Sequence, residues 1–148
     1  MKIVIQRVKS ASVTIDGNLY SEINKGLLLL YGVEKGDSEE SSKYLSEKLL
    51  KLRIFEDENG KMNLSVKDIQ GELLVVSQFT LAGDTKKGTR PSFDNAMPPK
   101  EANEMYENFV SMLKESGLKV QTGVFGAMMD VALINDGPVT FILSHPMK

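Results

Sequence analysis

Residues 26–33, GLLLLYGV, set four leucines and a tyrosine in a row with no polar interruption. Successive side chains of a strand point to opposite faces, so this run reads as a β-strand covered on both sides. It is far shorter than the roughly 20 residues that a membrane-spanning helix needs. Residues 71–81, GELLVVSQFTL, make the strongest central strand of the chain. Around these two runs the other segments fall into place.

IVIQRVKSASVTID alternates in part and ends at Asp16-Gly17-Asn18, a hairpin signal, after which NLYSEI returns. Asp37 and Glu40 are spaced as a capping box, and Tyr44, Leu45, Leu49 and Leu52 follow at helical spacing. A second hairpin carries Asn59-Gly60 at its tip. Behind Pro98-Pro99, the residues Ala102, Met105, Tyr106, Phe109, Met112 and Leu113 form one helical stripe, which Gly117 closes. Three strands are predicted after it, over 118–125, 127–134 and 139–143. Between the last two, Asn135, Asp136 and Gly137 suffice for a tight turn. Pro138 is surplus to that turn: it fixes its own φ and removes a donor. The expected fold is α+β, a largely antiparallel, barrel-like sheet with two main helices. One domain, residues 1–148, is expected.

Composition narrows the function. Eighteen Lys and Arg against twenty Asp and Glu leave a net charge of −2, which argues against sequence-blind binding to nucleic acid. DNA and membranes are not expected partners, and MKIVIQRVKS has no leader-like apolar stretch. A cytoplasmic protein is the expectation. There is no cysteine, so thiolate nucleophiles and thiolate metal sites are excluded. The single histidine, His145, lies three residues from the end and reads as a solvated tail residue. No metal and no cofactor is expected.

What remains for chemistry is hydroxyls and amides. Ser77, Gln78, Phe79 and Thr80 end the strongest strand just before residues 82–99, a long stretch without periodicity. Alternation sets Ser77 and Phe79 on one face and Gln78 and Thr80 on the other. That polar pair serves either a site or the hydrogen bonding of neighbouring backbone. Lys86, Lys87 and Arg90 fall within five residues of the loop and read as a solvated cluster or as a local phosphate clamp. Phe125, Gly126, Met128 and Met129 are core packing or a base-stacking pocket.

Five blocks taken in order, QRVKSASVTID (6–16), SQFTL (77–81), TRPSF (89–93), GVFGAMMDVALIND (123–136) and GPVT (137–140), resemble the D-aminoacyl-tRNA deacylases of the bacterial and eukaryotic type. The likeness runs from Met1 to about Leu143. It implies a homodimeric hydrolase of the ester that joins a D-amino acid to the 3′ end of tRNA. It also implies that Gly137-Pro138 is a cis pair, inserted into the partner's site to reject L-aminoacyl esters by a clash. Ser77, Gln78, Phe79 and Thr80 would lie along the aminoacyl group, and Arg7 would orient the Gly-Pro turn. Phe125 and Met129 would sit beside the terminal adenosine. Catalysis would fall either to Thr80 Oγ as a nucleophile or to backbone N–H groups near Phe79 and Thr80 as an oxyanion hole. Lys86, Lys87 and Arg90 are the candidates for phosphate contact. A filter that excludes only a side chain also admits glycyl-tRNA, including glycine on a non-cognate tRNA. Two other readings stand beside this one: a catalytically silent RNA-binding dimer, and a Thr-dependent hydrolase of small esters.

Overall fold

The computed structural model describes residues 1–146. Strand β1 (Lys2–Ile15) is the one on which the others hang. One of its edges is taken by β3 (Gly26–Gly32) over Lys2–Val8 and then by β2 (Asn18–Ile23) over Ala11–Ile15. Its other edge pairs with β8 (Asp130–Ser144) from Lys2 to Thr14. All three pairings are antiparallel. The β1–β2 turn holds Asp16 at φ 51° and Gly17 at φ 76°, the doubly left-handed turn whose twist suits a two-residue hairpin.

From β3 the sheet continues differently. β6 (Glu72–Ser77) pairs parallel with β3, and β7 (Val120–Thr122) parallel with β6. Parallel neighbours need long crossovers, and these carry the two helices, α1 (Glu39–Lys51) and α2 (Pro99–Lys114). A small separate hairpin, β4 (Phe55–Glu56) with β5 (Met62–Leu64), lies within the first crossover. Ser21 Oγ on β2 donates to the Thr122 carbonyl on β7 at 2.7 Å, so the two ends of the order β2-β1-β3-β6-β7 meet. The sheet is therefore nearly closed into a barrel. The expected barrel-like α+β fold is found, with its antiparallel part centred on β1 and a parallel part at β3–β6–β7.

The two apolar runs are covered on both faces. Leu27, Leu29 and Tyr31 of β3, with Leu73 and Val75 of β6, pack among Leu45 and Leu49 of α1 and Met105, Phe109 and Leu113 of α2. Leu28, Leu74 and Val76 face the other way, into a second cluster with Val8, Ala11, Val13 and Ile23 inside the barrel. Tyr31 stacks on Phe109 with ring centroids 4.4 Å apart.

Three local expectations are corrected by long-range partners. Asp37 does not cap α1: its Oδ2 accepts from the Glu34 N–H at 2.7 Å and pairs with the Met1 α-amine at 2.6 Å, while Ser38 takes the N-cap position without a side-chain bond. β6 stops at Ser77, and Phe79–Ala82 turn into a 3₁₀ helix. The face alternation expected through Thr80 therefore ends with the strand, and Phe79 and Thr80 are exposed. The turn expected at 135–137 does not reverse the chain. Both halves of β8 run the same way along β1, with Val8 opposite Asn135 but Gln6 opposite Thr140. Residues 136–139 are extruded from one continuous strand as a large bulge.

The barrel wall leading to Ser77 is fixed by Tyr106, whose buried phenol donates to the Val75 carbonyl at 2.7 Å. Burial pushes this phenol up to about 12. Tyr106→Phe is expected to lower stability by about 1 kcal/mol in urea unfolding. A raised folded-state pKa means that the contribution is complete below the unfolded phenol's value near 10 and disappears as pH rises through 12. The wild type should thus lose its advantage over Tyr106→Phe in that alkaline window.

Candidate active site

Where β6 gives way to the 3₁₀ turn, a cleft of about 640 Å³ opens. One wall is Val76, Ser77, Gln78 and Phe79; the long loop supplies Phe93, Ala96 and Met97; Phe125, Met128 and Met129 complete it. The sequence-predicted Ser77, Gln78, Phe79, Phe125 and Met129 are brought together here. Gly123 admits the Met129 thioether, since a Cβ at that glycine would stand 2.6 Å from Sδ. Tyr106 and Phe125 pack with centroids 6.2 Å apart, tying the far wall to α2.

Every residue lining this cleft is apolar, hydroxylic or amidic; it holds no carboxylate, amine, guanidinium, imidazole or phenol. The sequence-predicted Thr80 is exposed and does not itself line the cleft; its Oγ1 accepts from Gln78 Nε2 at 2.5 Å. An amide cannot take the hydroxyl proton, so Thr80 has no general base beside it. His145 is remote: its Nδ1 meets Ser41 Oγ at 2.9 Å and its ring lies 4.5 Å from that of Tyr44. It is packed against α1 instead of being the solvated residue expected. The backbone of the turn offers different chemistry. The Gln78 N–H is spent on Tyr31 O and the Leu81 N–H on Gln78 O, while the first N–H groups of a 3₁₀ turn have no acceptor within it. Those are the N–H groups of Phe79, which lines the cleft, and of Thr80, the next residue.

Lys86, Lys87 and Arg90 are exposed on a loop closed by paired bonds between Asp84 and Ser92. Lys86 lines a separate shallow groove, whose Asn95 directly precedes the cleft residue Ala96. None of the three cations lines the cleft itself.

Gly137 and Pro138 are at neither place. Their peptide is cis, and they sit at the exposed crest of the β8 bulge. Arg7 is 5% exposed, a buried charge and not a surface one. Its Nε donates to the Asp136 carbonyl at 2.9 Å and stands 3.3 Å from the Asp136 carboxylate, while Nη1 donates to the Ile54 carbonyl at 2.8 Å. Asn135 closes the bulge at its base, its Nδ2 donating to the carbonyls of Arg7 and Val139, both at 3.0 Å. A Cβ on Gly137 would lie 2.5 Å from Asn135 Oδ1, so only glycine fits beneath this clamp. From the sequence Asn135 reads as a turn former, and Phe93 carries no task of its own. Both stand within blocks already singled out, and only three-dimensional proximity separates them from their neighbours.

The match to known proteins is extensive. The family model described as D-Tyr-tRNA(Tyr) deacylase covers residues 4–144. A D-aminoacyl-tRNA deacylase of Geotalea uraniireducens (strain Rf4) is 60% identical over 146 residues, spanning 99% of this chain and 94% of that protein. Among solved structures, the c-Myc DNA Unwinding Element Binding Protein superposes with a TM-score of 0.94 at 43% identity, over 99% of this chain and 100% of the other. A probable eukaryotic D-amino acid tRNA deacylase shares the fold at a TM-score of 0.82 and 15% identity, over 96% of this chain and 97% of that one.

Proposed function

The chain belongs to the D-Tyr-tRNA(Tyr) deacylase family, a family of hydrolases acting on aminoacyl-tRNA esters, and from that premise we propose how its own residues divide the work. The aminoacyl ester lies along Ser77, Gln78 and Phe79, with the terminal adenosine against Phe125 and Met129. The N–H groups of Phe79 and Thr80 receive the charge that develops on the carbonyl oxygen. The observation carrying this reading is the cleft without an acid or base. With no acid or base among the residues of this chain that line the cleft, the neighbouring ribose hydroxyl assists the attacking water, and the enzyme contributes position and a fixed dipole. Incubation with D-tyrosyl-tRNA is the direct test: a silent RNA-binding dimer leaves the ester intact. A small-ester hydrolase differs again, cleaving aminoacyl esters that lack adenosine.

Selection against L substrates comes from a second copy of the chain, which presents Gly137-Pro138 to the α-carbon. Two features support this. The pair stands exposed on its own chain and away from that chain's cleft. Beside it, the outer edge of the 15-residue β8 has no strand partner among the described residues, and Ile134, Phe141 and Ile142 are 57%, 40% and 70% exposed. An open apolar edge of that length invites pairing. Assembly as a homodimer completes each site. No helix among the described residues is long and apolar enough to cross a membrane.

Two expected results bear on the division of labour. Thr80→Ala should deacylate D-tyrosyl-tRNA within about threefold of wild type, because it removes a hydroxyl and keeps the N–H; a loss of several decades in single-turnover rate would restore the nucleophile. Replacing Lys86 and Lys87 together with Glu should raise the KM for D-aminoacyl-tRNA, and more steeply at low salt than at high. An unchanged KM would return both lysines to the solvated surface.

A further inference from the structure

Phe79 and Phe93 form an exposed aromatic pair at the cleft mouth, 58% and 41% accessible, with ring centroids 5.2 Å apart and planes tilted by 59°. Two large rings left open side by side are not needed to complete the core, which is filled on both faces of the sheet. Phe93 is held in place from below. It packs against Gly83, where a Cβ would come within 3.1 Å of the ring and 3.0 Å of the Thr80 carbonyl. Its neighbour Ser92 is locked by reciprocal bonds with Asp84, at 2.7 and 2.9 Å.

The placement of this ring matters. Gly83 lines the shallow groove that Lys86 also lines, whereas Phe93 lines the cleft. The ring therefore sits on the ridge between the two depressions. The loop beneath it carries Lys86, Lys87 and Arg90 against two carboxylates, Asp84 and Asp94, and Asp84 is already engaged by the Lys86 N–H at 2.9 Å. Aromatic faces next to a local cationic cluster are what a single-stranded nucleic acid needs: stacking for its bases and charge for its backbone.

We propose that Phe93, braced by Phe79, stacks the base immediately 5′ of the terminal adenosine, while Lys86, Lys87 and Arg90 supply charge to the phosphates of that strand. The inference rests on the functional reading above and extends it from one nucleotide to the single-stranded end of the tRNA. Every base has a π-face, so the platform is indifferent to which tRNA supplies the end. A strand leaving the cleft over this ridge comes directly to the cationic loop.

The test compares two small substrates, D-tyrosyl-adenosine and the D-tyrosyl ester of the trinucleotide CCA, by the ratio of their kcat/KM values. Wild type should favour the trinucleotide by about tenfold, the range of one base–aromatic stack. Phe93→Leu should cut the ratio by the factor that the stack contributes, leaving only what the loop cations give the phosphates, and Phe93→Tyr should preserve it. Lower rates on both substrates with the ratio intact would make Phe93 merely structural and overturn the proposal. A wild-type ratio of one would overturn it as well. If neither ester is cleaved while D-tyrosyl-tRNA is, the acceptor end is not read nucleotide by nucleotide and the platform falls. If D-tyrosyl-tRNA also survives, the deacylase reading fails and the platform with it.

Discussion

Replacing Arg7 with methionine is expected to let L-tyrosyl-tRNA be cleaved at least about 100-fold faster relative to D-tyrosyl-tRNA, the scale on which a misplacement of about 1 Å alters a reaction. Methionine keeps the aliphatic reach of the arginine stem and removes every donor. The Asp136 carbonyl and carboxylate and the Ile54 carbonyl all lose their partner at once. Ile54 is buried, so its stranded carbonyl alone costs about 1–3 kcal/mol. Asp136 is partly exposed and can turn to water, which is what frees the bulge. Asn135 still joins its two ends, but nothing then fixes the direction in which its crest points. Paired rates on D and L esters, with urea unfolding of the same samples, check both halves. A destabilised variant that still rejects L esters would show that Arg7 supports the fold and not the filter. Arg7→Lys should fall between the two, because one ammonium cannot reproduce donors aimed at Asp136 and Ile54 together.

How far the sequence goes in this chain depends on how local the deciding interaction is. The doubly covered strand at 26–33 is legible because four leucines in a row leave no face for water. The Asp16-Gly17 hairpin is legible because left-handed φ angles at two successive residues need such a pair. The stripe of α2 is legible for the same kind of reason. The β8 bulge is not: Asn-Asp-Gly has the chemistry of a reversal, and only the pairing of both flanks with β1 decides that the chain continues. Asp37 misleads likewise, because the ammonium it meets lies across the fold. The parallel step from β3 to β6 leaves no mark in a hydrophobic pattern that both orientations satisfy. Within the site, SQFT and its flanking loop announce themselves by position, a polar end on an apolar strand. Phe93 does not, since exposure beside Phe79 is a property of the folded loop.

Glycyl-tRNA should be hydrolysed within about tenfold of the D-tyrosyl ester, and L-tyrosyl-tRNA at least about 1,000-fold more slowly than either. A gap of three decades corresponds to about 4 kcal/mol, a cost that a rigid backbone oxygen imposes on a methyl-sized group forced inside contact distance. No attractive feature of this cleft supplies the same gap. Its walls carry no charge and are apolar apart from Ser77 and Gln78, and an apolar surface distinguishes side chains by only about 1–3 kcal/mol per methylene. It also has no reason to prefer one hand. If rejection falls on the L side chain alone, glycine passes because it brings no group to reject. Recognition of a D side chain would instead leave glycine and L esters slow together. Single-turnover rates on the three esters, with the same tRNA, separate these models directly. Intact glycyl-tRNA beside rapidly cleaved D-tyrosyl-tRNA would end the exclusion model. The same three rates in Arg7→Met sharpen the result: exclusion requires the L-to-glycyl ratio to climb while the D-to-glycyl ratio stays where it was, since only the L hand meets the crest that Arg7 aims.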